Sequence, residues 1–146
     1  MILRIPGRLP GLNELLAGKA SQKNGWNAYN ALKQRWYGQI RMLAQAARIE
    51  AIGPGYFTLV FSEPDRRRDP DNLAGGGIKL IFDSLVGAGV MKGDSWAHVL
   101  GFVSYWVHTP GEAGCLVHHG DALLTKDDAL SLLEKENEHA YQQDRK

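Results

Sequence analysis

The segment "RRRDPDN", residues 66–72, sets three arginines directly before two aspartates. Opposite charges this dense are costly to arrange unless something sits between them. A phosphodiester with a divalent metal would fill that gap. Asp69 and Asp71 are two residues apart, so on an extended or turning segment both carboxylates can reach one ion. Hard oxygen ligands of this kind suit Mg²⁺. Asp94, in "KGDSW", directly precedes an apolar stretch and offers a third carboxylate from a loop. Each acid also has a plainer reading. Asp69 can be a helix cap, and Asp94 a turn residue in Gly-Asp-Ser. Lys79 and Asp83, four apart, can form a solvent-facing ion pair on a helix. In a phosphodiester site Lys79 could instead stabilise the transition state or protonate the leaving oxygen. Spacing leaves these alternatives open.

Arg66, Arg67 and Arg68 read either as a solvated run or as phosphate anchors, since a guanidinium can grip two phosphate oxygens at once. Lys19, Lys23, Lys33 and Arg35 form a second basic group with Trp26 among them, and Lys92 lies two residues before Asp94. Trp26 could stack on an exposed base or pack partly against the domain. His118 and His119 are adjacent, so on a strand they point to opposite faces, which is poor geometry for one metal. No Cys/His spacing for zinc is present, and "GGG" before Ile78 lacks the spacing of a nucleotide fingerprint. Cys115 lies on a predicted strand and reads as core.

The elements that must hold these groups follow from periodicity. Residues 2–5 form a short strand, closed by Pro6, Gly7, Pro10 and Gly11. One helical turn is expected around Leu12, Leu15 and Leu16, and a polar turn over residues 21–27. Tyr29, Leu32, Trp36, Ile40, Leu43 and Ala47 recur at three- and four-residue steps, which predicts an amphipathic helix over 27–50. "YFTLVFS", 56–62, is a strand. Pro70 suits the first position of a helix capped by Asp69. Gly75, Gly76 and Gly77 each cost about 1 kcal/mol relative to Ala in a helix interior. The expectation is therefore one turn, a bent glycine segment, and a helix over 78–86. Residues 97–109 form a long strand, paired with 113–119 across "PGEAG". Thr125 and Asp128 resemble a capping pair for a last helix that frays beyond about Glu136.

The chain has 146 residues, of which 44% are hydrophobic, enough for one compact domain. The implied class is α/β, a small mixed sheet packed against helices. Residues 1–120 carry a net +4 and residues 121–146 a net −3. This divides the chain into a mildly basic body, 1–120, and an acidic helical tail, 121–146. A basic body is compatible with a nucleic-acid partner. No apolar run approaches the roughly 20 residues a membrane helix needs. The start lacks a signal peptide's long apolar centre. A single cysteine makes a reducing cytoplasm the default compartment.

Taken together, "RRRDPDN", the helix with "KLIFDSL", "GAGVMKGDSW" and the strand that follows resemble the RusA-type Holliday junction resolvases of bacteria and their phages. The similarity covers most of residues 1–118. "IPGRLPGLNELL" is similar to that family's opening strand, Pro-rich turn and Asn, here Asn13. The family's Asp-x-Asp-Asn motif falls on Asp69, Pro70, Asp71 and Asn72. Its helix lysine falls on Lys79, its Asp-x-Leu on Asp83, Ser84 and Leu85, and its last acid on Asp94. The resemblance implies a dimeric α/β protein that makes paired nicks in four-way DNA junctions with Mg²⁺ or Mn²⁺. It makes Asp69, Asp71 and Asp94 the metal-binding carboxylates and Lys79 the catalytic lysine. Two features depart from the pattern. Gly93 stands where the family often has an acid, and "AGGG" lengthens the interval from Asn72 to Lys79 by about one helical turn. Two other classes remain: a non-catalytic junction-binding module, and a metal-dependent phosphoesterase acting on other substrates. For a dimer, the expected surfaces are the edge of residues 2–5 and residues 10–16, where Leu12, Leu15 and Leu16 exceed what a surface turn needs.

Overall fold

The computed structural model describes residues 1–20 and 25–143; the side chains of residues 18–20, 25–27 and 143 lie outside that description. The elements are β1 (Ile2–Pro6), α1 (Leu12–Ala20), α2 (Gly25–Ala46), β2 (Gly55–Glu63), α3 (Pro70–Leu73), a π-helical stretch (Ala74–Ile78), α4 (Lys79–Gly87), β3 (Val99–His108), β4 (Gly114–Gly120) and α5 (Lys126–Gln143). They make one small α/β domain around a four-stranded mixed sheet of order β1-β4-β2-β3.

β2 is the centre of the sheet. Of its nine residues all but Tyr56 are buried, because each face is covered. Phe57, Leu59 and Phe61 point into the larger core with Trp36 and Ile40 of α2 and Ile81, Phe82 and Leu85 of α4. Val60 faces Leu116, Ala129 and Leu133 under α5. Burying a side chain of this size stabilises by about 1.5–3 kcal/mol, so β2 commits both helical layers to the sheet.

This centrality corrects one expected pairing. β4 does not form a hairpin with β3. It runs antiparallel to β1 and β2, while β3 runs parallel to β2 on its far side. A strand buried on both faces seeks a neighbour at each edge, and β2 takes both. Parallel neighbours need a crossover, and α3 to α4 supply it.

The glycine segment is also not a break. The backbone stays helical from Pro70 to Gly87, loosened to π-helical hydrogen bonding over Ala74–Ile78. The glycines serve contact. A Cβ at Gly76 would lie 2.5 Å from the Gly11 carbonyl carbon and 2.6 Å from the Leu12 nitrogen. At Gly77 it would lie 3.1 Å from the Phe61 ring. The helix therefore seats the start of α1 directly on its backbone. Leu15 is buried in this packing and Leu12 lies against Gly75, so part of the apolar excess in residues 10–16 serves the chain's own interior.

α2 begins two residues earlier than expected, at Gly25, and residues 21–24 of the expected polar turn lie outside the described residues. α5 continues to Gln143 rather than fraying after Glu136. Thr125 starts it: its hydroxyl accepts the Asp128 amide at 3.2 Å and donates to the Asp128 carboxylate at 2.8 Å. Near its far end, Ala140 and Tyr141 share a surface hollow with Arg4, Pro6 and Leu43, a second anchor for the last turns. Among the described residues no helix is long and apolar enough to cross a membrane.

Candidate active site

The segment after β2 sorts its charges by direction. Arg68 turns inward. Its guanidinium donates twice to the Leu9 carbonyl, at 2.8 and 2.6 Å, and lies 3.6 Å from Glu63 and 3.4 Å from Glu14. Only 11% of its side chain is exposed. Arg8 joins the same group, 3.1 Å from Glu63 and 3.4 Å from Asp65. The Asp65 carboxyl sits below its usual range, first because it accepts the Arg67 backbone N–H and then through the nearby arginines. The expectation of three phosphate-facing arginines is thus corrected at Arg68, whose charge is committed inside the fold. Arg66 and Arg67 are exposed, and among the described residues their side chains make no hydrogen bond or ion pair.

Asp69 occupies the N-cap position of α3, with Pro70 following, yet its side chain makes no capping hydrogen bond. The plain reading of this carboxylate as a cap is not realised. Asp71, in the first turn, is exposed. Asn72 acts on the fold itself, since its Oδ1 accepts the Asn13 backbone N–H at 2.8 Å. That amide is one of the donors a helix start leaves unpaired, so Asn72 caps α1 from another element. Residues 11–13 and 72–76 thereby form one welded unit beneath the two aspartates.

Lys79 opens α4, and the π-helical stretch keeps it on the surface. Its Nζ donates to Asp83 Oδ1 at 2.6 Å and to Asp94 Oδ2 at 3.3 Å. The lysine's pKa is raised by the Asp83 hydrogen bond first, with Asp94 adding to it. Asp83 Oδ2 accepts the Tyr37 hydroxyl at 3.3 Å. Lys33 lies over the rings of Tyr29 and Tyr37, 5.3 and 5.4 Å from their centroids, and its pKa is raised chiefly by hydrogen bonding to Tyr37. A polar chain therefore runs from Lys33 through Tyr37, Asp83 and Lys79 to Asp94, joining α2, α4 and the loop before β3. Tyr37 is the member that sequence reasoning missed. The i,i+4 spacings of Lys33–Tyr37 and Lys79–Asp83 were visible, but nothing in either helix says that they face each other.

Lys92 is exposed in the same loop as Asp94. At Gly93 a Cβ would meet the His98 ring at 3.1 Å, so the imidazole takes the room an acid would need. Lys19 and Trp26 have side chains outside the described residues, and Lys23 lies wholly outside them. Arg35 is exposed on α2. Cys115 is buried and burial pushes its thiol pKa up, which fits a core residue and not a nucleophile. His118 and His119 are both partly buried, and no zinc-like group includes them.

Two hollows flank these acids. One, of about 390 Å³, lies between residues 63–70 and the end of β3, with Arg66, Asp69, Trp106 and His108 in its wall. The other, of about 530 Å³, adjoins Asp94 and is walled by Phe82, Trp96, Leu100 and Phe102. Among the described residues no three acidic, imidazole or thiol side chains form a group that could hold a metal ion. The chain alone therefore joins Asp94 to Lys79 and Asp83, and does not gather Asp69, Asp71 and Asp94 into one cluster. The donor chemistry itself suits a hard cation: all three carboxylates are exposed, and that of Asp69 is not spent as a cap. No protein-family model matches this chain, and no curated protein matches it.

Proposed function

We propose that the chain is a metal-dependent endonuclease of the RusA type, which resolves four-way DNA junctions by paired phosphodiester cleavage. The observation that carries this reading is the meeting of Lys79 with Asp94, 15 residues apart in sequence, across a 3.3 Å hydrogen bond. The resemblance makes one the catalytic lysine and the other a metal ligand, and a lysine needed only for an ordinary helical ion pair would have no reason to reach the second acid. The unspent carboxylate of Asp69 supports the same reading.

In this proposal Asp69, Asp71 and Asp94 would hold Mg²⁺ or Mn²⁺. When bound, such an ion supplies Lewis acidity toward water and phosphate. A water attacks the phosphorus, the bond to the leaving oxygen breaks, and the Lys79 ammonium meets the charge that develops there. Asp83 and Tyr37 hold that ammonium in place. Arg66, Arg67, Lys33 and Lys92 supply positive charge to the DNA backbone, and a homodimer supplies one site to each of two symmetric strands. The proposed compartment is the cytoplasm of a bacterial or phage-infected cell. The test is incubation with a mobile four-way junction, a linear duplex and a flap, with and without Mg²⁺. Cleavage of the junction that requires the ion supports the reading. Junction binding without cleavage, or phosphoesterase activity on small substrates without salt-sensitive DNA affinity, overturns it.

A further inference from the structure

β3 is an edge strand: it pairs with β2 on one side, and no described strand pairs with the other. It is ten residues long, and its sequence, VLGFVSYWVH, holds no Asp, Glu, Lys, Arg or Pro. Monomeric proteins protect such an edge with charge, proline, a bulge in the outer rim or brevity, because an open row of N–H and C=O groups invites another strand. Here the single register irregularity lies at the β3 start, opposite Gly55 and Tyr56. The rest of the strand carries none of these devices.

Beside the open edge lies the most exposed aromatic side chain of the described residues. Trp96 is 94% exposed, and Leu100 and Phe102 are each 52% exposed. With Phe82 they wall the hollow next to Asp94. Phe102 pairs in register with Phe57 and meets Phe82 edge-on at 5.9 Å between ring centroids. It therefore lies on the sheet face that carries α4.

We propose that the outer edge of β3, together with Trp96, Leu100 and Phe102, is the surface on which a second copy of this chain docks, antiparallel, strand to strand. Charge selects this occupant. A strand with no formal charge places no like charges opposite one another when it meets its own copy, so self-pairing meets no electrostatic penalty. Area points the same way. Aromatic side chains bury about 150–250 Å² each, so Trp96 and Phe102 alone supply a large part of the roughly 800 Å² per partner that a stable interface needs. A two-fold axis perpendicular to the sheet joins the copies into one eight-stranded sheet and keeps the same face of both on the same side. Both α4 helices, with Lys79 and Asp94, then face one side of the assembly. That consequence rests on the proposed nuclease reading; the interface does not.

The experiment measures association, not cleavage, so the two proposals fail separately. The full chain is sedimented across micromolar concentrations, alone and as Leu100→Lys with Phe102→Lys. The expected result is a dimer for the unaltered chain and association weaker by about 100-fold or more for the variant, as loss of a central interface anchor produces. Hydrogen exchange of the unaltered chain supplies a readout that does not depend on the variant's folding. The outward amides of β3, every second residue, should be protected at high concentration and lose protection on dilution. A chain that sediments as a monomer throughout, or a dimer whose outward β3 amides exchange freely, overturns the proposal.

Discussion

Gly76 lies so close to Gly11 that a Cβ on the first would stand 2.5 Å from the carbonyl carbon of the second. The obstacle is backbone, which cannot swing aside. Gly76→Ala is therefore expected to destabilise by about 3 kcal/mol, the upper range for overpacking, or to lift α1 from its seat. Gly75 is the control. Its Cβ would meet only the Leu12 side chain, at 3.3 Å, which can yield. Ala there gains about 1 kcal/mol of helix propensity, so Gly75→Ala should leave stability unchanged or raise it. Urea unfolding of both variants checks the pair, and equal losses would refute the contact argument.

The arginines should separate by mutation. Arg68→Ala strands the Leu9 carbonyl and removes a cation from Glu63, at an expected cost of about 3 kcal/mol. Arg66→Ala and Arg67→Ala should change stability by no more than about 0.5 kcal/mol. On the proposed reading each instead flattens the salt dependence of junction binding by about one unit of slope. An unchanged slope would return both residues to a solvated run.

Lys79 should be dispensable for folding and needed for cleavage. Its side chain is exposed and contacts Asp83 and Asp94, so Lys79→Met should cost little stability. Cleavage should fall by about 10²–10³, the usual loss when one transition-state donor is removed, while junction affinity stays nearly the same. Tyr37→Phe removes one hydrogen bond to Asp83, and a smaller loss in cleavage is expected. Equal cleavage by Lys79→Met and the unaltered chain would exclude Lys79 from the chemistry.

Stability should also depend on two histidines. Burial lowers the pKa of both His118 and His119 from the ordinary 6.5, and the N-terminal ammonium adds to it. Because the folded values lie below the unfolded one, the unfolded chain binds more protons as pH falls beneath 6.5. Their contribution is fully present above that pH and is lost as the pH falls toward the folded values. Unfolding free energy measured between pH 7.5 and 5 should decline on the acid side, and the decline should shrink in His119→Phe, which keeps the ring packed on Phe57. A variant with an undiminished decline would assign the effect elsewhere.

Much of this fold is legible where periodicity is local. β2, the long helix α2 and the helix carrying Lys79 follow from spacing of apolar residues. What the sequence hides is relational. Nothing in residues 113–119 says that β2 stands between them and β3, because the pairing is decided by which strand is buried on both faces. The glycine triplet reads as a helix breaker by propensity, and tertiary contact with residues 10–12 overrides that. Asp83 and Lys79 are legible as a pair, whereas the reach of Lys79 to Asp94 depends on how the loop before β3 returns. Arg68 is indistinguishable in sequence from Arg66 and Arg67, and only the position of the Leu9 carbonyl and Glu63 decides which one turns inward.

The central claim is that the acids beside Lys79 serve a metal-dependent cut in branched DNA. The most direct measurement follows a labelled four-way junction with the unaltered chain and with Asp71→Asn, with and without Mg²⁺, while binding is read in parallel. The account predicts symmetric paired nicks by the unaltered chain only when Mg²⁺ is present. It predicts none by Asp71→Asn, whose junction affinity should be equal or tighter because a carboxylate facing phosphate is gone. Cleavage that persists in Asp71→Asn, or a folded, unaltered chain that leaves the junction intact with Mg²⁺ present, would contradict it.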